Sequence, residues 1–245
     1  MQGSKAMQQH ILISGASGLI GSALSTHLAG LGFAIHRLER DNAAAPFNYS
    51  SASKQVTLDH SVSLSAVVNL AGPSIADGRW TARRKQALLE SRVDITTALA
   101  TALATAPQPP ALFLSASAVG FYGESTLPLN EEAPAGNDYL ASLATRWEAA
   151  TGPARRAGNH ADATVTMSPT TMVLTIAELG TKRSPLGKSI LAAFSNALSP
   201  FERPMPANNP IVEPNRPTTT DSIINARVTC FFEAPIARRS AFSRW

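Results

Sequence analysis

A single cysteine, Cys230, stands among 245 residues. That excludes an intramolecular disulfide and a thiolate zinc cluster, and it suits a reducing, cytoplasmic compartment. Charge is sparse at 16% of residues, and 21 Lys and Arg against 17 Asp and Glu leave a net charge of only +4. The basic residues are scattered, with short pairs such as Arg83-Arg84 and Arg155-Arg156, so the balance reads as a solvated surface and no nucleic-acid partner is expected. No apolar run approaches the roughly 18 residues of a membrane span. Residues 11–35 are apolar enough to imitate a signal peptide after Lys5, but Gly15, Gly18 and Gly21 interrupt them at regular spacing and mark them as part of the fold. His10, His27, His36, His60 and His160 show no metal-ligand spacing and are expected on the surface or in loops, with no metal bound.

Glycine is missing where proline is abundant. Residues 1–157 hold 12 glycines and 8 prolines, whereas residues 158–245 hold 3 glycines and 9 prolines. Six of the latter fall within 200–217, a stretch without glycine. Such a segment is hard to place in a regular sheet, so 200–217 is expected to be irregular. The change in character divides the chain into 1–158 and 159–245.

What is present is a core-forming composition, 44% hydrophobic, arranged in a regular rhythm over the first part. The run His10-Ile11-Leu12-Ile13 meets a glycine turn and is followed by helical spacing through Leu19, Ile20, Leu24, Leu28 and Leu31, closed by Gly30 and Gly32. Residues 33–38 read as a second strand, and Val67-Val68-Asn69-Leu70 and residues 111–115 as further short strands. Between the last two, residues 81–106 carry helical spacing at Leu88, Leu89, Val93, Leu99 and Leu103. Strands alternating with helices imply an α/β fold, a doubly wound, Rossmann-like parallel sheet with helices on both faces.

The turn Ser14-Gly15-Ala16-Ser17-Gly18-Leu19-Ile20-Gly21 follows a strand and opens a helix. In that context Gly15 permits the tight turn, Gly18 lets a pyrophosphate approach the backbone, and Gly21 lets the helix pack closely on the strand. The helix N-terminus would face the phosphates with unpaired N–H groups. Eighteen residues beyond Gly21 stands Glu39, placed to accept hydrogen bonds from a ribose and so favour NAD, while Arg40 beside it could grip a 2′-phosphate and favour NADP.

The glycine turn, Asn69-Leu70-Ala71-Gly72, the segment from Pro73 to Trp80, Ser91-Arg92, the segment from Ser115 to Gly123, and Asp138-Tyr139-Leu140-Ala141 with Arg146-Trp147-Glu148 resemble the extended short-chain dehydrogenase/reductases. More narrowly they are similar to the epimerase-like branch labelled sugar-nucleotide epimerase or cell-division inhibitor. The resemblance covers residues 10–157 and implies an NAD(P) cofactor held by Gly15, Ser17, Gly18, Leu19, Ile20, Gly21, Glu39 and Arg40, with Leu70, Ala71, Gly72, Arg92 and Ser115 lining the same site. It also implies a small or nucleotide-linked alcohol or ketone as substrate, and a homodimer through 81–106 and 139–151.

In that superfamily a Tyr with a Lys four residues on transfers a proton while a Ser orients the substrate oxygen. Ser117 matches the Ser and Tyr139 the Tyr, but the residue four beyond Tyr139 is Leu143. Past Gly158 the resemblance falls away, which implies a small, divergent and shortened substrate lobe. Two functional classes stay open on these grounds, an NAD(P)-dependent enzyme and a cofactor-binding module without catalysis, with a non-functional remnant as a third. Trp147 and Glu148 are expected as core packing and surface charge on one helix.

Overall fold

The computed structural model describes residues 8–123, 133–157, 163–166 and 172–177, with positions 190, 192, 193 and 196 singly. Strand β1 (His10–Ser14) is the central thread of the sheet, and its Ile11, Leu12 and Ile13 are fully buried. Period-two alternation divides them between two cores. Ile11 and Ile13 join Leu24 and Leu28 of helix α1 (Leu19–Gly30) on one face. Leu12 joins Ile95, Leu99 and Leu103 of helix α2 (Ala82–Ala104) on the other. Helix α1 ends where Gly32, at φ +90, takes the left-handed conformation and donates its N–H to the Ala29 carbonyl.

Next come β2 (Ala34–Arg40), the short strands β3 (Asn48–Ser50) and β4 (Gln55–Thr57), β5 (Leu64–Asn69), and, after α2, β6 (Leu112–Ala118). A short 3-10 helix at Val119–Tyr122, helices α3 (Tyr139–Ala149) and α4 (Gly152–Ala157), and strands β7 (Ala163–Thr166) and β8 (Met172–Ala177) complete the described chain. The sheet order is β4-β3-β2-β1-β5-β6-β8-β7. Strands β3, β2, β1, β5 and β6 run parallel, as the alternation of strand and helix requires.

The edges depart from the all-parallel expectation. Strands β3 and β4 pair antiparallel, as do β8 with β6 and β7 with β8. The links from β3 to β4 and from β7 to β8 are too short for a crossover and permit only hairpins, whereas β8 reaches β6 after the long excursion through α3, α4 and β7. At the first of them Lys54 takes φ 55. The sheet therefore continues past residue 158. The proline-rich segment 200–217 lies outside the described residues, as does His160. Among the described residues no helix is long and apolar enough to cross a membrane.

Neighbouring strands β1 and β5 send their connections to opposite faces, through α1 and α2. This is the point in a doubly wound sheet where a crevice opens beyond the carboxyl ends of the strands. The registers Ser14↔Leu38, Ser14↔Asn69 and Asn69↔Ser115 bring the ends of four parallel strands level along its floor.

Candidate functional site

Three glycines form the crevice wall for three different reasons. Gly15 has φ +71, and a Cβ there would lie 2.7 Å from the Leu70 carbonyl oxygen. Gly21 is buried under the turn, where a Cβ would run into the Gly15 carbonyl. Gly18 differs from both. Its φ of −71 and ψ of 170 suit any residue, and a Cβ would meet only the Gly15 oxygen at 3.3 Å. The fold's demand for glycine at 18 is the lightest of the three, a shift of a few tenths of an ångström at the Gly15 carbonyl, whereas a ligand resting on the backbone would demand it outright. Gly18 is the N-cap of α1 and makes no side-chain cap, so the first N–H groups of the helix are left for an anion. Ser17, Gly18 and Leu19 are exposed there, Leu19 to 64%, with Ile20 half-buried.

Glu39 and Arg40 follow Leu38, the register partner of Ser14, and so stand just beyond the end of β1. Both are exposed. Being successive strand residues they point to opposite faces, Glu39 with Ile35 on the α1 side and Arg40 with Leu38 on the α2 side. The Glu39 carboxylate accepts a hydrogen bond from Asn42 Nδ2 at 2.6 Å.

Beneath the crevice lies a buried polar network that sequence reasoning missed. Ser14 Oγ donates to Asn69 Oδ1 at 2.5 Å, and Asn69 Nδ2 donates to Thr96 Oγ1 at 2.8 Å and Ser115 Oγ at 3.1 Å. Trp147 Nε1 donates to the same Thr96 oxygen at 3.0 Å. One asparagine thus ties β1, β5 and β6 to α2, and through Thr96 to α3. Ser115 is 1% exposed and supports the site from below. The Leu70 N–H donates to the Ser14 carbonyl, which holds Leu70 and the buried Ala71 against the turn.

Ser117 and Tyr139 give their protons to different partners. Ser117, 3% exposed at the end of β6, donates to Glu148 Oε1 at 2.5 Å. Glu148 is half-buried, which corrects its reading as surface charge. Burial pushes its carboxyl above the ordinary range, while the Ser117 hydrogen bond and Arg155 pull the other way. Ala141, Ala144 and Glu148 are spaced i, i+3, i+7, and Ala141 and Ala144 are buried, a signal that placed Glu148 on the core side of α3. Tyr139 donates its hydroxyl to the Lys85 carbonyl at 2.6 Å, and Trp80 meets its ring edge-on at 5.7 Å. Burial raises this phenol, opposed by Arg92 and Arg84.

Arg92 is 7% exposed. It donates to the carbonyls of Pro73 at 2.7 Å and Leu88 at 3.2 Å and lies over the Trp147 ring at 5.2 Å. A Cβ on Gly72 would come within 3.1 Å of its guanidinium carbon, so the glycine admits the arginine. Away from the crevice, His10 and His36 sit in adjacent strands with ring nitrogens 2.9 Å apart, which corrects their placement on the surface or in loops. Among the described residues no group of three or more His, Cys, Asp or Glu could hold a metal.

The family model described as the NAD dependent epimerase/dehydratase family matches residues 11–148. An epimerase family protein of Mycobacterium bovis is 37% identical over 151 residues, covering 60% of this chain and 50% of that protein. The crystal structure of human epimerase family protein SDR39U1 (isoform 2) with NADPH superposes with a TM-score of 0.52 at 31% identity, over 58% of this chain and 48% of that one. A nucleoside-diphosphate sugar epimerase from Corynebacterium glutamicum gives 0.51 at 33% identity, over 62% of this chain and 32% of that one. The chain spans about half the length of the curated relatives it matches.

Proposed function

The chain belongs to the NAD dependent epimerase/dehydratase family, and from that membership we propose that it binds a dinucleotide in the crevice between β1 and β5, prefers NADP to NAD, and acts on a small or nucleotide-linked alcohol or ketone. The observation that carries the reading is Gly18, a glycine whose backbone conformation does not need one, at an uncapped helix N-terminus. The NADPH of human SDR39U1 supports the choice of cofactor, as does Arg40, free to swing toward a 2′-phosphate while Glu39 is held by Asn42. The single cysteine supports a cytoplasmic setting.

A bound nicotinamide would supply the hydride acceptor or donor. The chain's own task is then to hold the substrate oxygen and move its proton. In this reading Ser117 orients the oxygen at the end of β6, and Glu148, which accepts the Ser117 hydrogen bond, takes up and returns the substrate proton through that hydroxyl. Tyr139, with Leu143 where a lysine would lower its phenol, serves from its protonated form as a hydrogen-bond donor once its hydroxyl turns from the Lys85 carbonyl to the substrate.

Fluorescence titration of the purified chain with NADPH and NADH tests the reading. Saturable binding, tighter for NADPH, is expected, and Arg40→Ala should weaken NADPH about tenfold while sparing NADH. Binding of neither nucleotide would refute the site. Equal loss of both in the variant would make Arg40 structural. Binding without turnover of nucleotide sugars or simple ketones is the result a non-catalytic module would give.

A further inference from the structure

We propose that Arg84, Lys85 and Arg92, beside Tyr139, form a receptor for an oxyanion, a carboxylate or phosphate carried by the substrate; the inference rests on the crevice being a substrate site and specifies what enters it.

Among the described residues the cations are gathered without an ion-pair partner. Arg92 is 93% shielded from solvent by its 7% exposure, yet its hydrogen bonds go to the neutral carbonyls of Pro73 and Leu88. A guanidinium taken out of water with only neutral partners is costly, and an anion is the partner that offsets the cost. Arg84 spends one N–H on the Ser74 carbonyl at 2.7 Å, and its Nε is buried with no hydrogen-bond partner among the described residues. Lys85 hangs over the Tyr139 ring with its ammonium 5.1 Å from the centroid. Two of the described carboxylates on α2 and at the start of α3 have their own hydrogen-bond donors. Asp138 caps α3 through the Ala141 N–H, and Glu90 accepts from Gln86.

Position adds to the argument. Arg83, Arg84 and Lys85 occupy the first turns of α2, which has no acidic residue in its first turn. Cations at the positive end of a helix are unfavourable, so their clustering here works against the helix. An anion bound among them reverses the sign of that interaction. The cluster is also contiguous with the crevice. Gly72 leaves the guanidinium of Arg92 against the end of β5, next to Leu70 and Ala71, which flank the glycine turn.

The test uses the full chain carrying Gly18→Val, which blocks the phosphate turn, so its result stands whether or not the wild type binds NADPH. Inorganic phosphate and succinate are titrated separately by calorimetry at fixed ionic strength. Saturable binding of one probe is expected, and which probe binds tells phosphate from carboxylate. Lys85→Gln and Arg84→Gln in that background should each weaken it about tenfold, and Lys85→Arg should restore it. Binding of neither probe, or binding unchanged by Lys85→Gln and Arg84→Gln, would overturn the proposal. Wild-type NADPH affinity, measured in parallel, reports on the cofactor site alone. Circular dichroism confirms that each variant is folded.

Discussion

Glu148 stands in an environment at odds with its charge. A carboxylate held half-buried at the foot of a strand, with one serine hydroxyl as its close partner, pays in stability for being there. Because burial raises its pKa, the folded chain holds the proton more tightly than the unfolded chain does. The ionised carboxylate therefore costs stability at neutral pH, and the cost fades as pH falls through the raised folded pKa toward the unfolded value of about 4.3. Glu148→Gln keeps an acceptor for Ser117 and removes the charge. It is expected to raise the melting temperature at pH 7, with the gain shrinking as the pH is lowered toward about 4. A lower melting temperature at pH 7 would show that the charge stabilises the fold.

At the scale of elements, Asn69 holds the site together. It satisfies Ser14, Thr96 and Ser115 at once, all of them essentially excluded from water. Asn69→Leu leaves the Ser14 hydroxyl without its acceptor, while Thr96 keeps Trp147 and Ser115 keeps the Ala116 carbonyl, a cost of about 2–4 kcal/mol in all. A fall in melting temperature of roughly 5–15 °C is expected, judged from the usual 2–4 °C per kcal/mol for a chain of this size. A change within a degree would mean that water replaces the side chain. The long elements were legible because each carries many periodic positions. The apolar runs announced β1, β2, β5 and β6, and the spacing of Leu88, Leu99 and Leu103 announced α2. Strands β3 and β4 were not legible, since three residues each give no period to count, although Phe47 and Tyr49 are buried. The antiparallel β7 and β8 lie past Gly158, where the resemblance ends, and no local pattern gives their order or direction in the sheet. Asn69 is legible only as part of a motif, because its partner Thr96 is 27 positions away and nothing local pairs them. Glu148 reads as surface charge by its residue type, whereas its place on α3 turns it toward the core. The glycine turn was legible because its spacing is local and each glycine answers a separate geometric demand.

For the whole molecule, the central claim is that the carboxyl ends of four parallel strands and the N-terminus of α1 make one preformed site for a dinucleotide. A ligand that binds only the folded chain stabilises it by an amount set by concentration over Kd, about 2.7 kcal/mol at a hundredfold excess. Gly18→Val tests this directly, because φ −71 and ψ 170 accommodate valine while its side chain fills the place a pyrophosphate would take. Melting curves of the wild type and Gly18→Val, each with and without saturating NADPH, form the measurement. The account predicts similar melting temperatures without ligand, a rise of about 5–10 °C for the wild type with NADPH, and none for Gly18→Val. An equal rise in both chains, or none in the wild type, would contradict it.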